Sequence, residues 1–213
     1  AIDDQPAAAW MLKGLTCYYL LHNSFKVQAD HTVLFHAAAG GVGMSAGQWL
    51  AAKKAMAYGT AGTDEKCELA MQNGYHDVIN YNTDDFVAGI RALTEGNMVD
   101  VVYDSVGAGT WPGSRDCLRR HGTMVAFGQS SGPVEGFKFS DLAVGSLYLT
   151  RPTLFHFTAE RRWLESASES LFDMIAGGDI RIAINQTLPL AQVSEAHNAL
   201  EARSTTGCTV LIP

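Results

Sequence analysis

Residues 32–43 read Thr32-Val33-Leu34-Phe35-His36-Ala37-Ala38-Ala39-Gly40-Gly41-Val42-Gly43. An apolar run of β type gives way to small residues and glycines, and residues 44–52 continue in a helix-compatible composition. Strand, tight turn and helix in this order mark a dinucleotide site. Glycine lets the backbone turn sharply and approach a pyrophosphate, because no Cβ stands in the way. The free N–H groups and the positive dipole end of the following helix then face the phosphates. The spacing reads as Gly41-x-Gly43-x-x-Ala46, with alanine in a third place where the fingerprint tolerates it. A glycine cluster can also merely relieve crowding where a strand turns into a helix. The flanking strand and helix favour the nucleotide.

Working outward, the pattern predicts helices over residues 6–22, 43–54, 64–73, 84–95 and 110–120, and strands over 32–37, 55–61, 78–81, 99–104, 123–128 and 147–150. Pro6 suits a first helical turn, and Gly74 and Gly96 stop the helices before them. Pro112 is tolerable only in the first turn of its helix. This alternation implies an α/β fold: a doubly wound, mostly parallel six-stranded Rossmann sheet with helices on both faces. Residues 1–151 form the dinucleotide-binding domain in this reading. Beyond them lies a C-terminal α/β tail, 152–213, with a helix over 159–176, an extended stretch over 185–190, a helix over 191–203 and a strand over 209–213. The tail is expected to leave the β-α rhythm.

The chain has 213 residues, 47% of them hydrophobic and 17% charged, which describes a folded chain rather than a disordered one. Its net charge of −7 argues against a broad nucleic-acid surface. No run approaches the roughly 20 apolar residues of a membrane span. The opening Ala-Ile-Asp-Asp-Gln-Pro has the character of neither a signal nor a transit peptide. Cys17, Cys67, Cys117 and Cys208 form no C-x-x-C pair, which disfavours a zinc site and suits reduced thiols in the cytoplasm.

The end of the second strand selects the nucleotide. NAD readers place an acid there, on the adenosine ribose. Here the stretch is Gly59-Thr60-Ala61-Gly62-Thr63, small and neutral, followed by Asp64. Asp64 reads better as a first-turn acid of the next helix than as a ribose ligand. Lys66 is then free to meet a 2′-phosphate, with Tyr81 as a hydroxyl donor, although each taken alone fits an ordinary surface position.

Several ordered blocks carry a resemblance: L-K-G-L-T-C-Y-Y-L-L (12–21), L-F-H-A-A-A-G-G-V-G (34–43), V-I-N-Y (78–81), V-V-Y-D-S-V-G (101–107), F-G-Q-S-S-G (127–132), G-S-L-Y-L-T-R-P (145–152) and T-V-L-I-P (209–213). From about residue 6 onward the chain resembles the zinc-independent, zeta-crystallin-like quinone oxidoreductases of the medium-chain dehydrogenase/reductase superfamily. The resemblance implies an NADPH-dependent reductase passing hydride to a quinone, an enone or another electron-poor acceptor, with no metal and no protein nucleophile. It implies a pyrophosphate turn at Gly40, Gly41, Val42 and Gly43, and a 2′-phosphate grip by Lys66, Tyr81 and Arg203. It implies a contact from Thr16, an adenosine-side border at Ser105 to Gly107, a nicotinamide-side lining from Phe127, Gly128, Gln129 and Ser130, and Leu154 and Phe155 near the nicotinamide. Gln129 stands where relatives usually carry asparagine, and Lys54 where they carry glycine. Relatives also carry an N-terminal GroES-like lobe, so the chain resembles the nucleotide-binding portion of a longer protein. Its last strand is then expected as an exposed apolar edge. A homodimer joined along residues 147–150 is implied too.

The seven histidines are scattered and suggest no Ser-His-Asp constellation. His36 reads as a satisfied structural residue, and His156 is the one placed to border a cleft. Trp10, Trp49 and Trp163 read as packing residues. The competing functions are a binding module that holds NADPH without turnover, an enoyl reductase, and a structural or RNA-binding role.

Overall fold

The computed structural model describes residues 3–213. Branched and aromatic runs pair as β1 (Thr32–Phe35), β2 (Met56–Ala61), β3 (Asp77–Asn80), β4 (Val99–Asp104), β5 (Leu118–Ala126) and β6 (Tyr148–Thr150). They form one sheet in the order β3-β2-β1-β4-β5-β6, parallel throughout. Phe35 sits opposite both Gly59 and Tyr103. The chain steps outward from β1 through β2 to β3 and then returns to β4 on the other side of β1. That reversal is the switch point at which doubly wound sheets bind ligands, beyond the carboxyl ends of the strands.

The period-two alternation of the strands sorts the two cores. Val33, Phe35, Ala57, Val101, Tyr103 and Val125 face α1 (Asp4–Tyr19), α2 (Gly41–Ala52) and α7 (Arg161–Ala176). Leu34, Tyr58, Val102 and Met124 face Ile90 and Trp111, which come from α4 (Phe86–Leu93) and α5 (Trp111–Asp116). The central strand β4 is buried along its whole length. Its Asp100 is satisfied by the Thr32 N–H at 2.7 Å and by Arg119 at 2.5 Å.

Several expected boundaries move. The first helix continues past Tyr19 into a wider π turn, Leu20–Ser24. β1 stops at Phe35, because Ala37 takes a positive φ of 55°. The helix expected over 110–120 ends at Asp116, with Pro112 in its first turn. Leu118 instead pairs with Val99, and β5 bends past His121, whose φ is 62°. A short helix, α6 (Leu154–Thr158), forms where none was expected. The tail does not abandon the β-α rhythm. β7 (Gln186–Pro189), α8 (Val193–Glu201) and β8 (Thr209–Ile212) form a parallel βαβ unit with its own two-stranded sheet. β8 is therefore not a bare apolar edge: β7 pairs one side of it, and Val210 is buried.

Candidate nucleotide site

Four strand ends and one return of the tail build a continuous rim. At the end of β1, Gly40 precedes α2, and the first carbonyl taken by the helix is its own, from the Met44 N–H at 2.8 Å. The amides of Gly41, Val42 and Gly43 come before that bond, as the unpaired donors of a helix N-terminus do. A Cβ on Gly43 would lie 2.6 Å from the Ala38 carbonyl oxygen and run into that of Ala37. Gly43 thus permits close helix–strand packing, the duty of the third fingerprint glycine. The register is Ala38-x-Gly40-x-x-Gly43, three residues earlier than the expected Gly41-x-Gly43-x-x-Ala46. Gly41 has a different neighbour: a Cβ there would meet the Lys13 side chain at 2.5 Å and the Gly207 carbonyl at 2.8 Å. The Gly207 N–H in turn donates to the Ala39 carbonyl at 3.0 Å, so the tail closes over the turn.

At the end of β2, Thr63 caps α3 (Asp64–Met71) and accepts from the Lys66 N–H. Asp64 lies in the first turn and accepts from Asn80 at 2.7 Å, the structural role favoured for it. The Lys66 ammonium donates to the Arg203 carbonyl at 2.5 Å. Arg203 itself holds a left-handed φ of 57° just past α8. The Tyr81 hydroxyl stands over Gly62, 2.8 Å from where a Cβ would be, and the residue is 40% exposed. Among the described residues neither Lys66 nor Arg203 pairs with a carboxylate. The structure thus brings Lys66 and Arg203 together, with Tyr81 across Gly62.

On the other side of the switch point, the loops after β4 and β5 zip together. The Ser130 N–H donates to the Ser105 carbonyl at 3.0 Å, and the Ser131 N–H to that of Val106 at 2.8 Å. Phe127 packs on Phe35, while Gln129 and Ser130 face solvent. Leu154 is half-buried against the core, whereas Phe155 is 77% exposed and His156 is exposed beside it. The Thr16 hydroxyl is turned back onto the Leu12 carbonyl of its own helix. Trp10 and Trp49 are core residues, and Trp163 donates to Asn23 at 3.1 Å.

The sequence reading missed a polar cluster beneath this rim. His36 is fully buried, with Nδ1 2.8 Å from the Thr60 hydroxyl and Nε2 2.8 Å from that of Ser114. Ser114 donates to Asp104 Oδ2 at 2.8 Å. Burial lowers the His36 pKa, and nearby Asp104 opposes that shift. The cluster is no nucleophile triad, since serine rather than histidine occupies the middle. Thr60, His36 and Asp104 come from at or near strand ends, but Ser114 comes from α5, so no single pattern in the sequence joins the four.

Two hollows flank the rim. The larger, about 530 Å³ between α3 and α4, is lined by Asp64, Glu68, Asp77, Asp84 and Asp85, the wrong sign for a polyphosphate. The other, about 280 Å³, adjoins Gln129 and lies among Trp111, Met124, Phe137 and Leu149. Among the described residues no three His, Cys, Asp or Glu side chains converge as metal ligands, and no helix is long and apolar enough to cross a membrane.

Fold and rim together define a dinucleotide-binding domain of the doubly wound class. Comparison with known proteins narrows this. Residues 41–171, more than half the chain, match the zinc-binding dehydrogenase family. The chain belongs to that family. It is 46% identical to a quinone oxidoreductase of Pseudomonas aeruginosa over 213 residues, all of this chain and 66% of that protein. It is 42% identical to a 2-haloacrylate reductase of a Burkholderia species, across all of this chain and 64% of that one. The crystal structure of Escherichia coli quinone oxidoreductase complexed with NADPH superposes with a TM-score of 0.97 at 47% identity, covering all of this chain and 66% of that one. The chain thus spans just under two thirds of the length of these relatives.

Proposed function

We propose that this chain is the nucleotide-binding part of an NADPH-dependent reductase that delivers hydride to a quinone or a comparable electron-poor acceptor. The observation that carries the reading is the bond from the Lys66 ammonium to the Arg203 backbone, two residues whose side chains have no carboxylate partner among the described residues, at the end of a β2 whose loop is small and neutral. A 2′-phosphate calls for such cations, and arginine can grip it with two parallel hydrogen bonds. The donor set fits the rest of the cofactor as well. Gly41, Val42 and Gly43 offer amides to the pyrophosphate, while the Gly40 amide is taken by the Ala37 carbonyl and Gly40 shapes the turn; Lys13 lies beside them, and Tyr81 offers a hydroxyl. Ser105 borders the adenosine side. Phe127, Gly128, Gln129 and Ser130 border the nicotinamide side, with Thr16, Leu154 and Phe155 as outer contacts. The nicotinamide supplies the hydride when bound. The chain's own part is to bind, orient and exclude water. Residues 1–151 are the dinucleotide-binding domain in this reading; the tail, 152–213, lends it Leu154, Phe155 and Arg203 and packs back toward the N-terminal lobe of full-length relatives.

The Burkholderia relative, named as a 2-haloacrylate reductase, favours an electron-poor alkene as a second class of acceptor. A homodimer is part of the proposal. β6 is an outer strand whose Tyr148 is 62% exposed, and Val144 and Phe139, earlier in the chain, are exposed too. Calorimetric titration of the full-length protein with NADPH and NADH side by side tests the cofactor assignment. Tight NADPH with weak NADH binding is expected, and equal affinity would sink the 2′-phosphate grip. Turnover with quinones against enones then chooses the acceptor.

A further inference from the structure

We infer that Asp104 is a positioning residue for the nucleotide rim, holding the loops after β4 and β5 directly and the ends of β1 and β2 through a buried hydrogen-bond relay of fixed polarity. The inference rests on the NADPH reading above.

Asp104 is 1% exposed at the end of the central strand. Its Oδ1 accepts the amides of Val106 and Gly107 at 2.7 and 3.0 Å. Its Oδ2 accepts the hydroxyls of Thr110 and Ser114 at 2.6 and 2.8 Å. Its main-chain carbonyl takes the amides of Phe127 and Gly128 at 2.8 and 3.3 Å. One residue therefore suspends both loops that border the right half of the rim. Four donors on two oxygens are the complement of a group that only accepts.

That fixes every proton upstream. The Ser114 proton is committed to Asp104, so the Ser114 oxygen can only accept from His36 Nε2. Nε2 must then carry the ring proton, and bare Nδ1 accepts from the Thr60 hydroxyl. Protons are donated in one direction, from Thr60 to His36 to Ser114 to Asp104. Thr60 lies in β2 two residues before Gly62, and His36 directly follows β1. A single acceptor thus sets the geometry beneath both the phosphate end and the ribose end of the rim. Preorganised donors of this kind bind without reordering first.

The test uses full-length protein with ring-15N-labelled histidine, the His36 signals being assigned by their loss in His36→Gln. The expected wild-type state is the Nε2–H tautomer. In Asp104→Asn, the amide oxygen keeps the turn amides, but its NH2 confronts the two hydroxyls. Ser114 must then send its proton to His36 Nε2, and the ring proton moves to Nδ1. The expected result is this tautomer switch together with about tenfold weaker binding of NADPH and NADH alike. Ser114→Ala, a smaller change should the asparagine variant fail to fold, is expected to release the tautomer from its fixed state. An Nδ1–H tautomer in the wild type, or no tautomer change in either variant, overturns the relay. Unchanged nucleotide affinity in a folded Asp104→Asn overturns the positioning role. Wild-type protein that binds neither nucleotide overturns the NADPH reading instead, while the tautomer still decides the relay.

Discussion

The Lys66 ammonium lies 2.5 Å from the main-chain oxygen of Arg203, 137 residues further along the chain. The bond ties the lysine to the backbone of the segment that carries the arginine. Lys66→Ala or Arg203→Ala is expected to weaken NADPH binding by roughly 1–3 kcal/mol, as loss of a charge-assisted bond does, and to leave NADH nearly unchanged. Calorimetry with both nucleotides reads the difference. Equal losses for the two would remove the assignment.

Gly41 and Gly43 separate binding from folding. Gly43→Ala would force α2 off the Ala37 and Ala38 carbonyls, and such overpacking costs about 1–3 kcal/mol. A lowered melting temperature of the nucleotide-free protein is the expected outcome. Gly41→Val would press instead on Lys13 and the Gly207 carbonyl. It is expected to abolish binding of both nucleotides, and unchanged affinity would refute the turn as the site.

His22 gives the fold an acid sensitivity. Its ring stacks on Tyr18 at 4.4 Å, and Nδ1 donates to the Tyr18 carbonyl at 3.0 Å. Burial, reinforced by Lys53, lowers its pKa to about 4, against 6.5 for a free ring. The unfolded chain therefore takes the proton first as pH falls. Stability is unaffected by this group above 6.5 and declines between 6.5 and 4. Urea midpoints at pH 7 and pH 5 should converge in His22→Gln relative to the wild type. An undiminished pH dependence would acquit His22.

Leu171 is fully buried on α7, within the core shared with α1 and α2. Leu171→Ala should cost about 2–5 kcal/mol, the range for deleting a large core side chain. A chemical denaturation curve measures it. A loss under 1 kcal/mol would mean that the tail contributes little to the main core.

What the sequence revealed follows from how local each signal is. β4 was legible to the residue because Val99, Val101 and Val102 form a run buried on both faces. β5 was not, since its first residues, Leu118, Arg119 and Arg120, look like a helix end and become a strand only through the Val99–Leu118 pairing. The closely spaced glycines at 40, 41 and 43 admit two fingerprint registers, and only the approach of Gly43 to the Ala37 and Ala38 carbonyls chooses between them. The resemblance pointed to Lys66 and Arg203, but no spacing could disclose that one reaches the other's backbone. The relay lay outside any local pattern because Thr60, His36, Ser114 and Asp104 come from four separate stretches of the chain.

The Gly207 bond to Ala39 also gives the chain a temporal order. During synthesis the six-stranded sheet has all its strands by Thr150, yet the phosphate turn gains its cover only after residue 207 has emerged. A chain cut short at residue 200 would keep every strand of that sheet and lack both Arg203 and the Gly207 latch. Such a chain would hold its sheet and still leave the phosphate turn uncovered.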